Sequence, residues 1–286
     1  MTRQSATARK AEELLGSAVA ATAPVAGGDI NTATRLKLSD GRSVLLKTQP
    51  HPPPGFFEAE ARGLRWLGTV EGGVPVPEVL AVDEDCLILP WIEPGKPTID
   101  AAGAFGRALA ETHSAGAAAY GADEDGFIGR LPLPNATAPT WAEFYATRRV
   151  LPYLKLARDR GSATEEDAAA VESVIGRLPD LLPEEPPSLL HGDLWNGNVL
   201  WGSDGRVHGI DPATYAGHRE VDLAMLSLFG LPQLPRVLAT YTEAFPLTAG
   251  WEERLPLHQL FPLLVHACMF GGGYAARAAA IATSFA

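Results

Sequence analysis

Residues 188–225 read SLLHGDLWNGNVLWGSDGRVHGIDPATYAGHREVDLAM. Two short apolar pieces, Asn198-Val199-Leu200-Trp201 and Val207-His208-Gly209-Ile210, flank the turn sequence Ser203-Asp204-Gly205, so the spacing predicts a hairpin. Such a hairpin holds Asp193 and Asn198 at one end and returns Asp211 beside them. Two carboxylates and an amide converging on one spot have an obvious use. A carboxylate and an Asn oxygen can hold Mg²⁺, while the other carboxylate faces a hydroxyl nucleophile.

Outward from this stretch, the first third of the chain is β-rich. TRLKLS (34–39) alternates, Asp40-Gly41 signals a hairpin, and SVLLK (43–47) is the returning strand. QPHPPPG (49–55) is a loop, because three consecutive prolines fix an extended backbone. In FFEAEARGLRWL (56–67), Phe57, Ala61, Leu64 and either Trp66 or Leu67 recur at helical spacing. Two more strands fall within 74–92 around Asp83-Glu84-Asp85, and a short helix is expected at Ala11–Ala20. Beyond PGKP (94–97) the pattern turns helical, with Phe105, Leu109 and Thr112 on one face of 100–115 and further helices at about 141–158, 164–178 and through 234–285. Thr164 precedes Glu165-Glu166-Asp167 as a helix N-cap, and residues 121–140 read as irregular. The expectation is an α+β chain in two lobes: residues 1–92, a hinge at about 89–96, and residues 97–286.

Composition narrows the partners. The chain has 286 residues, 46% of them hydrophobic and 20% charged, with a formal charge of −11 that argues against a general affinity for nucleic acid or an anionic membrane. Cys86 and Cys268 lie in apolar stretches outside any CxxC, as buried thiols of a reducing compartment do. Arg3, Arg9 and Lys10 precede LLGSAVAATAPVA, but Glu12, Glu13 and Pro24 interrupt anything like a leader, and no apolar run is long enough to span a bilayer. A cytoplasmic protein is expected.

Asp193-x-x-x-x-Asn198, followed thirteen residues later by Asp211, is the spacing of the kinase catalytic loop and its metal-binding Asp. HGDLWNGN resembles that loop in the phosphotransferase branch, with His-Gly-Asp where protein kinases carry His-Arg-Asp. Together with DPATYAGHREVDLAM (211–225), LFPLLVHACMFGGGY (260–274), YGADEDGFIGRLPLPN (120–135) and TWAEFYATRRVLPYLKLA (140–157), the chain is similar to the fructosamine (ketosamine) kinase family. The likeness runs from about residue 10 to residue 274. It implies a protein-kinase-like fold, with ATP and Mg²⁺ as cofactors and a sugar hydroxyl of a ketosamine as acceptor.

Laid on this sequence, the resemblance gives Asp193 the base position and Asn198 and Asp211 the metal. Lys47, ending the strand VLLK, takes the phosphate-steadying position, and Glu60 on the following helix is its partner; Glu58, on a different helix face, is the competitor. The phosphate-covering loop is VAGGDINTA (25–33), which contains Gly28. Adenine would meet the hinge Leu89-Pro90-Trp91-Ile92, where Pro90 stands in place of the family's common acidic residue and removes one N–H. Trp195 can pack on the C–H face of a sugar or sit in the core. His191 is expected to brace the loop, Asp222 to accept its backbone hydrogen bonds, and His258 and His266 to be core histidines.

Only ten residues separate Asp211 from Asp222, too few for a peptide-docking activation segment, and Gly192 replaces the arginine that would read a phosphorylated one. The acceptor is therefore small, or a small group presented on a protein. Two rivals remain. One is a kinase of the same fold acting on an aminoglycoside, choline or another sugar, although no run beyond the metal residues clearly builds the acidic pocket a cationic drug wants. The other is a nucleotide-binding pseudokinase, which has no need of a base at Asp193.

Overall fold

The computed structural model describes residues 6–26 and 30–286. The chain opens with α1 (Ala6–Leu15), β1 (Val19–Pro24), β2 (Thr32–Leu38), β3 (Ser43–Thr48), α2 (Phe56–Leu67), β4 (Ala81–Asp83) and β5 (Cys86–Pro90). The strands form an antiparallel sheet in the order β1-β2-β3-β5-β4. Leu36, Leu46 and Ile88 are buried on one face beneath α1. Each contributes about 1.5–3 kcal/mol of burial. Leu87 and Leu89 point to the other face, where Phe57, Ala61 and Leu64 of α2 pack on them. The α2 periodicity therefore places Glu60 at the margin of a buried stripe, next to β3.

The remainder is largely helical: α3 (Ile99–Ser114), a hairpin of β6 (Gly126–Ile128) and β7 (Leu131–Leu133), α4 (Trp141–Phe144), α5 (Leu151–Asp159), α6 (Glu165–Ile175) and α7 (Leu178–Leu181). Then come β8 (Ser188–Leu190), β9 (Val199–Trp201), β10 (Val207–Gly209), β11 (Tyr215–Gly217), α8 (Glu220–Phe229), α9 (Leu234–Ala244), α10 (Trp251–Phe270) and α11 (Tyr274–Ser284). Thr164 caps α6 in a reciprocal capping box with Asp167. One core gathers α5, α6, α10 and α11, and a second gathers α3, α8, α9 and the β9–β10 hairpin. A turn of π-helix, Tyr145–Val150, joins α4 to α5 and directs Arg149 into the first core. Among the described residues no helix is long and apolar enough to cross a membrane.

The segment after β5 is tied to the β9–β10 hairpin. Gly95 N–H donates to Trp201 O (2.6 Å) and Ser203 N–H to Glu93 O (2.8 Å). The expected β9–β10 hairpin forms, with Val207 opposite Trp201 and Gly209 opposite Val199.

Three expectations are corrected. The first helix spans Ala6–Leu15 rather than Ala11–Ala20, ending at Gly16 (φ +64°). Val19–Pro24 is then a strand on the sheet edge, where exposed Ala and Thr give no apolar alternation and Pro24 is tolerated. Within 121–140 the short β6–β7 hairpin is regular, its three-residue strands being too brief for periodicity to register.

Candidate active site

β8 and β11 pair across the catalytic stretch, Leu190 opposite Tyr215, and so fix both ends of the segment that carries Asp193 and Asp211. Asp222, with no side-chain exposure, braces it from α8. Its Oδ2 accepts His191 N–H (2.8 Å) and its Oδ1 accepts Gly192 N–H (3.0 Å). His113 Nε2 lies 3.1 Å from Oδ2, and its Nδ1 lies 2.8 Å from the Tyr241 hydroxyl. Burial pushes the Asp222 carboxyl up, but the His113 hydrogen bond and the charges around it prevail and hold it below the ordinary range. Gly192 adopts φ +81°, and a Cβ there would collide with Ala213 O, so the Gly of His-Gly-Asp is a backbone requirement.

His191 is a strut of the loop. Its Nδ1 accepts Asp193 N–H (3.3 Å), so Nε2 carries the proton that it donates to Ile210 O (3.0 Å). Asn198 Nδ2 donates to Asp193 Oδ2 (2.8 Å), Asp193 O (2.9 Å) and Asp211 O (3.4 Å). That amide orientation leaves Asn198 Oδ1 as the acceptor of the side chain. Burial, with Asp211 and Asp222 nearby, raises Asp193 well above the ordinary carboxylate value against the opposing Asn198 hydrogen bond.

Lys47 is buried and joins the two lobes. Its Nζ donates to Glu60 Oε1 and Oε2 (2.7 Å each) and lies 2.9 Å from Asp211 Oδ1. Burial alone would lower the Lys47 pKa, but the two carboxylates outweigh it and hold the ammonium above its ordinary value. Glu60, not Glu58, meets Lys47. Asp211 itself sits in the left-handed region (φ +53°), a conformation costing about 1–3 kcal/mol that recurs at functional positions. The oxygens left over, Asn198 Oδ1 and Asp211 Oδ2, form a hard donor set that fits Mg²⁺ and not a thiolate- or imidazole-preferring metal.

Lys47, Glu60, Leu89, Pro90, Trp91, Ile92, Asp193, Trp195, Asn198 and Asp211 all line one cleft of about 1090 Å³. Trp91 N–H is taken by Ser43 O (3.0 Å), whereas Ile92 N–H has no partner among the described residues. The Trp91 indole lies under Arg35 (4.5 Å) and donates to Glu93 (2.8 Å). Gly28 lies outside the described residues. Trp195 is half-buried at the cleft wall, not in the core.

The wall of the cleft beyond Asp193 and Asp211 differs from expectation. Asp123, Glu124 and Asp125 line the cleft, so an acidic wall exists beyond Asp193 and Asp211. It is held by Asn135, whose N–H donates to Asp125 Oδ1 (2.7 Å) and whose Nδ2 donates to Glu124 O (3.2 Å). Arg149 Nη2 in turn donates to Asn135 Oδ1 (2.6 Å), with its guanidinium 3.8 Å from the Tyr215 ring centre. The Arg149–Asn135 link spans fourteen residues of loop and helix, and no local pattern announces it. His266 is half-buried in the cleft wall rather than core, with Nδ1–H donated to Pro262 O (2.7 Å).

His258 is in the core, and its ring nitrogen approaches His218 and Glu220 closely enough to suggest a metal. Hydrogen bonding argues otherwise. Glu220 N–H donates to His218 Nδ1 (3.2 Å) and Trp141 Nε1–H to His258 Nε2 (3.2 Å). The remaining nitrogens, His218 Nε2 and His258 Nδ1, therefore carry protons and cannot ligate. Arg254 already occupies Glu220 (2.7 Å).

Comparison with known proteins is consistent across the chain. The sequence family described as fructosamine kinase matches residues 2–285. A Thermus thermophilus protein named "Probable ketoamine kinase" is 41% identical over 252 residues, covering 88% of either chain. The crystal structure of a "putative fructosamine-3-kinase" from Thermobifida fusca superposes with a TM-score of 0.92 at 47% identity, covering 97% of each chain. An aminoglycoside phosphotransferase, APH(4)-Ia, solved with AMP-PNP and hygromycin B, gives a TM-score of 0.69 at 17% identity over 99% of each chain, a likeness of fold. The two-lobed arrangement is thus the protein-kinase-like one.

Proposed function

The chain belongs to the fructosamine kinase family, a family of phosphotransferases with an alcohol acceptor, and on that premise we propose that it transfers the γ-phosphoryl group of ATP to a sugar hydroxyl of a ketosamine. The reading is carried by the convergence of Asp193, Asn198, Asp211 and Lys47 in one cleft.

Residues 1–92 form the nucleotide lobe, with a hinge at about 89–96, and 97–286 the catalytic and acceptor lobe. Adenine sits at Leu89–Ile92, where the Ile92 N–H is free to donate and the Pro90 carbonyl to accept. Lys47, fixed by Glu60, steadies the α- and β-phosphates. Asn198 and Asp211 are the residues that would hold Mg²⁺, which would supply charge neutralisation for the transferring phosphates. Asp193 orients the acceptor hydroxyl and takes its proton as the oxygen bonds to the γ-phosphorus and ADP departs. Trp195 packs on the sugar. Phosphoryl transfer asks little covalent chemistry of the protein, so positioning and electrostatics supply most of the rate. The product is a phosphorylated ketosamine, which gives the enzyme a place in deglycation or metabolite repair.

The acidic wall at Asp123–Asp125 suits a cationic acceptor, which both a ketosamine and an aminoglycoside provide. ADP release with Mg-ATP across fructosamine, ribulosamine, aminoglycosides, choline and free sugars separates them. Turnover confined to ketosamines, with the phosphorylated product identified by mass spectrometry, supports the proposal. Preference for an aminoglycoside refutes the acceptor while leaving the transfer chemistry intact.

A further inference from the structure

Resting on that ketosamine reading, we propose that the amine half of the acceptor is an apolar or aromatic amine without a carboxylate beside the nitrogen, laid on an aromatic wall that continues outward from the sugar-packing Trp195 through Phe229, His266 and Phe270. Phe229 and Phe270 are 36% and 53% exposed, and with Ile99 they are the large hydrophobic side chains left exposed among the described residues. The rings are contiguous: Trp195 to Phe229 5.9 Å, Phe229 to His266 4.9 Å, His266 to Phe270 5.6 Å. The wall begins two residues from Asp193 and runs outward to the end of α10, so an acceptor hydroxyl at Asp193 sets the rest of the molecule along it. Three of the four side chains line the cleft, and Phe229 backs them. Burial lowers the His266 pKa against the opposing hydrogen bond from its Nδ1–H to Pro262 O.

Charge selects against a neighbouring carboxylate. Among the described residues the cleft is lined by two cations other than histidine, and both are engaged. Lys47 holds Glu60 and Asp211, and Arg62 lies 3.3 Å from Glu124 and donates to Asp125 O (3.1 Å). A free α-carboxylate would meet the like charges of Asp123, Glu124 and Asp125, whereas the secondary ammonium of a ketosamine is drawn to them. The wall is built rather than incidental, because buried Asn135 and Arg149 hold the acidic segment in place.

The test compares fructosamines of phenethylamine, ethanolamine and phenylalanine; the first and last differ only by the carboxylate. The phenethylamine adduct is expected to exceed the ethanolamine adduct in kcat/KM by about five-fold, the worth of an aromatic contact, and the phenylalanine adduct by about ten-fold. Phe270→Ala should bring the first ratio towards one, and Asp123→Asn should shrink the second. Equal turnover of all three, or preference for the phenylalanine adduct, overturns the inference while leaving the kinase reading standing. Failure to phosphorylate any fructosamine overturns both.

Discussion

Replacing Asp222 by Asn tests how the catalytic loop is held. The carboxylate accepts His191 N–H, Gly192 N–H and the His113 ring with no exposure to water. An Asn placed with its oxygen where Oδ2 stands keeps His191 and His113 but sets an NH₂ against Gly192 N–H. One backbone donor and one side-chain donor are then buried unpaired, at about 1–3 kcal/mol each, and the surviving bonds lose their charge assistance. The expected loss is about 3–5 kcal/mol, which leaves a protein of ordinary stability folded. Misplacement of Asp193 by roughly an ångström should lower kcat by about a hundred-fold. Because the fold holds the Asp222 carboxyl below its ordinary value, the stability it contributes is present above the unfolded carboxylate pKa and is lost as pH falls through the folded value. Urea denaturation at neutral and acidic pH, beside steady-state kinetics, measures both effects. A variant within 1 kcal/mol of the parent (about a fifth to a third of the expected loss) and with undiminished kcat refutes this account of the loop.

Three other outcomes follow from the geometry. Asp193→Asn should lower turnover by about a thousand-fold and yet raise the melting temperature at neutral pH: with the folded pKa raised, stability falls as pH climbs from the unfolded carboxylate value through the folded one, so the gain should vanish below the unfolded value in thermal melts across pH. Gly192→Ala, forced to φ +81° against Ala213 O, should cost more than about 3 kcal/mol or fail to fold, read by denaturant midpoint. Stoichiometric zinc should leave the melting temperature unchanged, since the free nitrogens of His218 and His258 carry protons; a clear upward shift would show that the hydrogen-bond assignment is wrong.

What the sequence made legible is local. The β9–β10 hairpin announces itself through its turn residues and flanking apolar pieces, and α2 through its stripe; the pairing of Lys47 with Glu60 rather than Glu58 is implied by the family resemblance together with the helix face, and the two side chains do meet. β1 is silent because an edge strand of Ala and Thr buries little. The acidic wall looks like ordinary loop sequence until Asn135 and Arg149 fold it against the cleft, and those contacts depend on tertiary pairing. His266 lies in an apolar helix, and only packing shows that its turn faces the cleft.

The central claim is phosphoryl transfer from ATP to a ketosamine through Asp193. A single-turnover reaction of the enzyme with Mg-ATP and one synthetic fructosamine, followed by mass spectrometry beside Asp193→Asn, tests it most directly. The account predicts one phosphoryl group on the sugar of the acceptor with the parent enzyme, and unmodified acceptor with the variant despite retained ATP binding. Phosphorylated product from the variant at the parent's rate, or none from the parent, would contradict it.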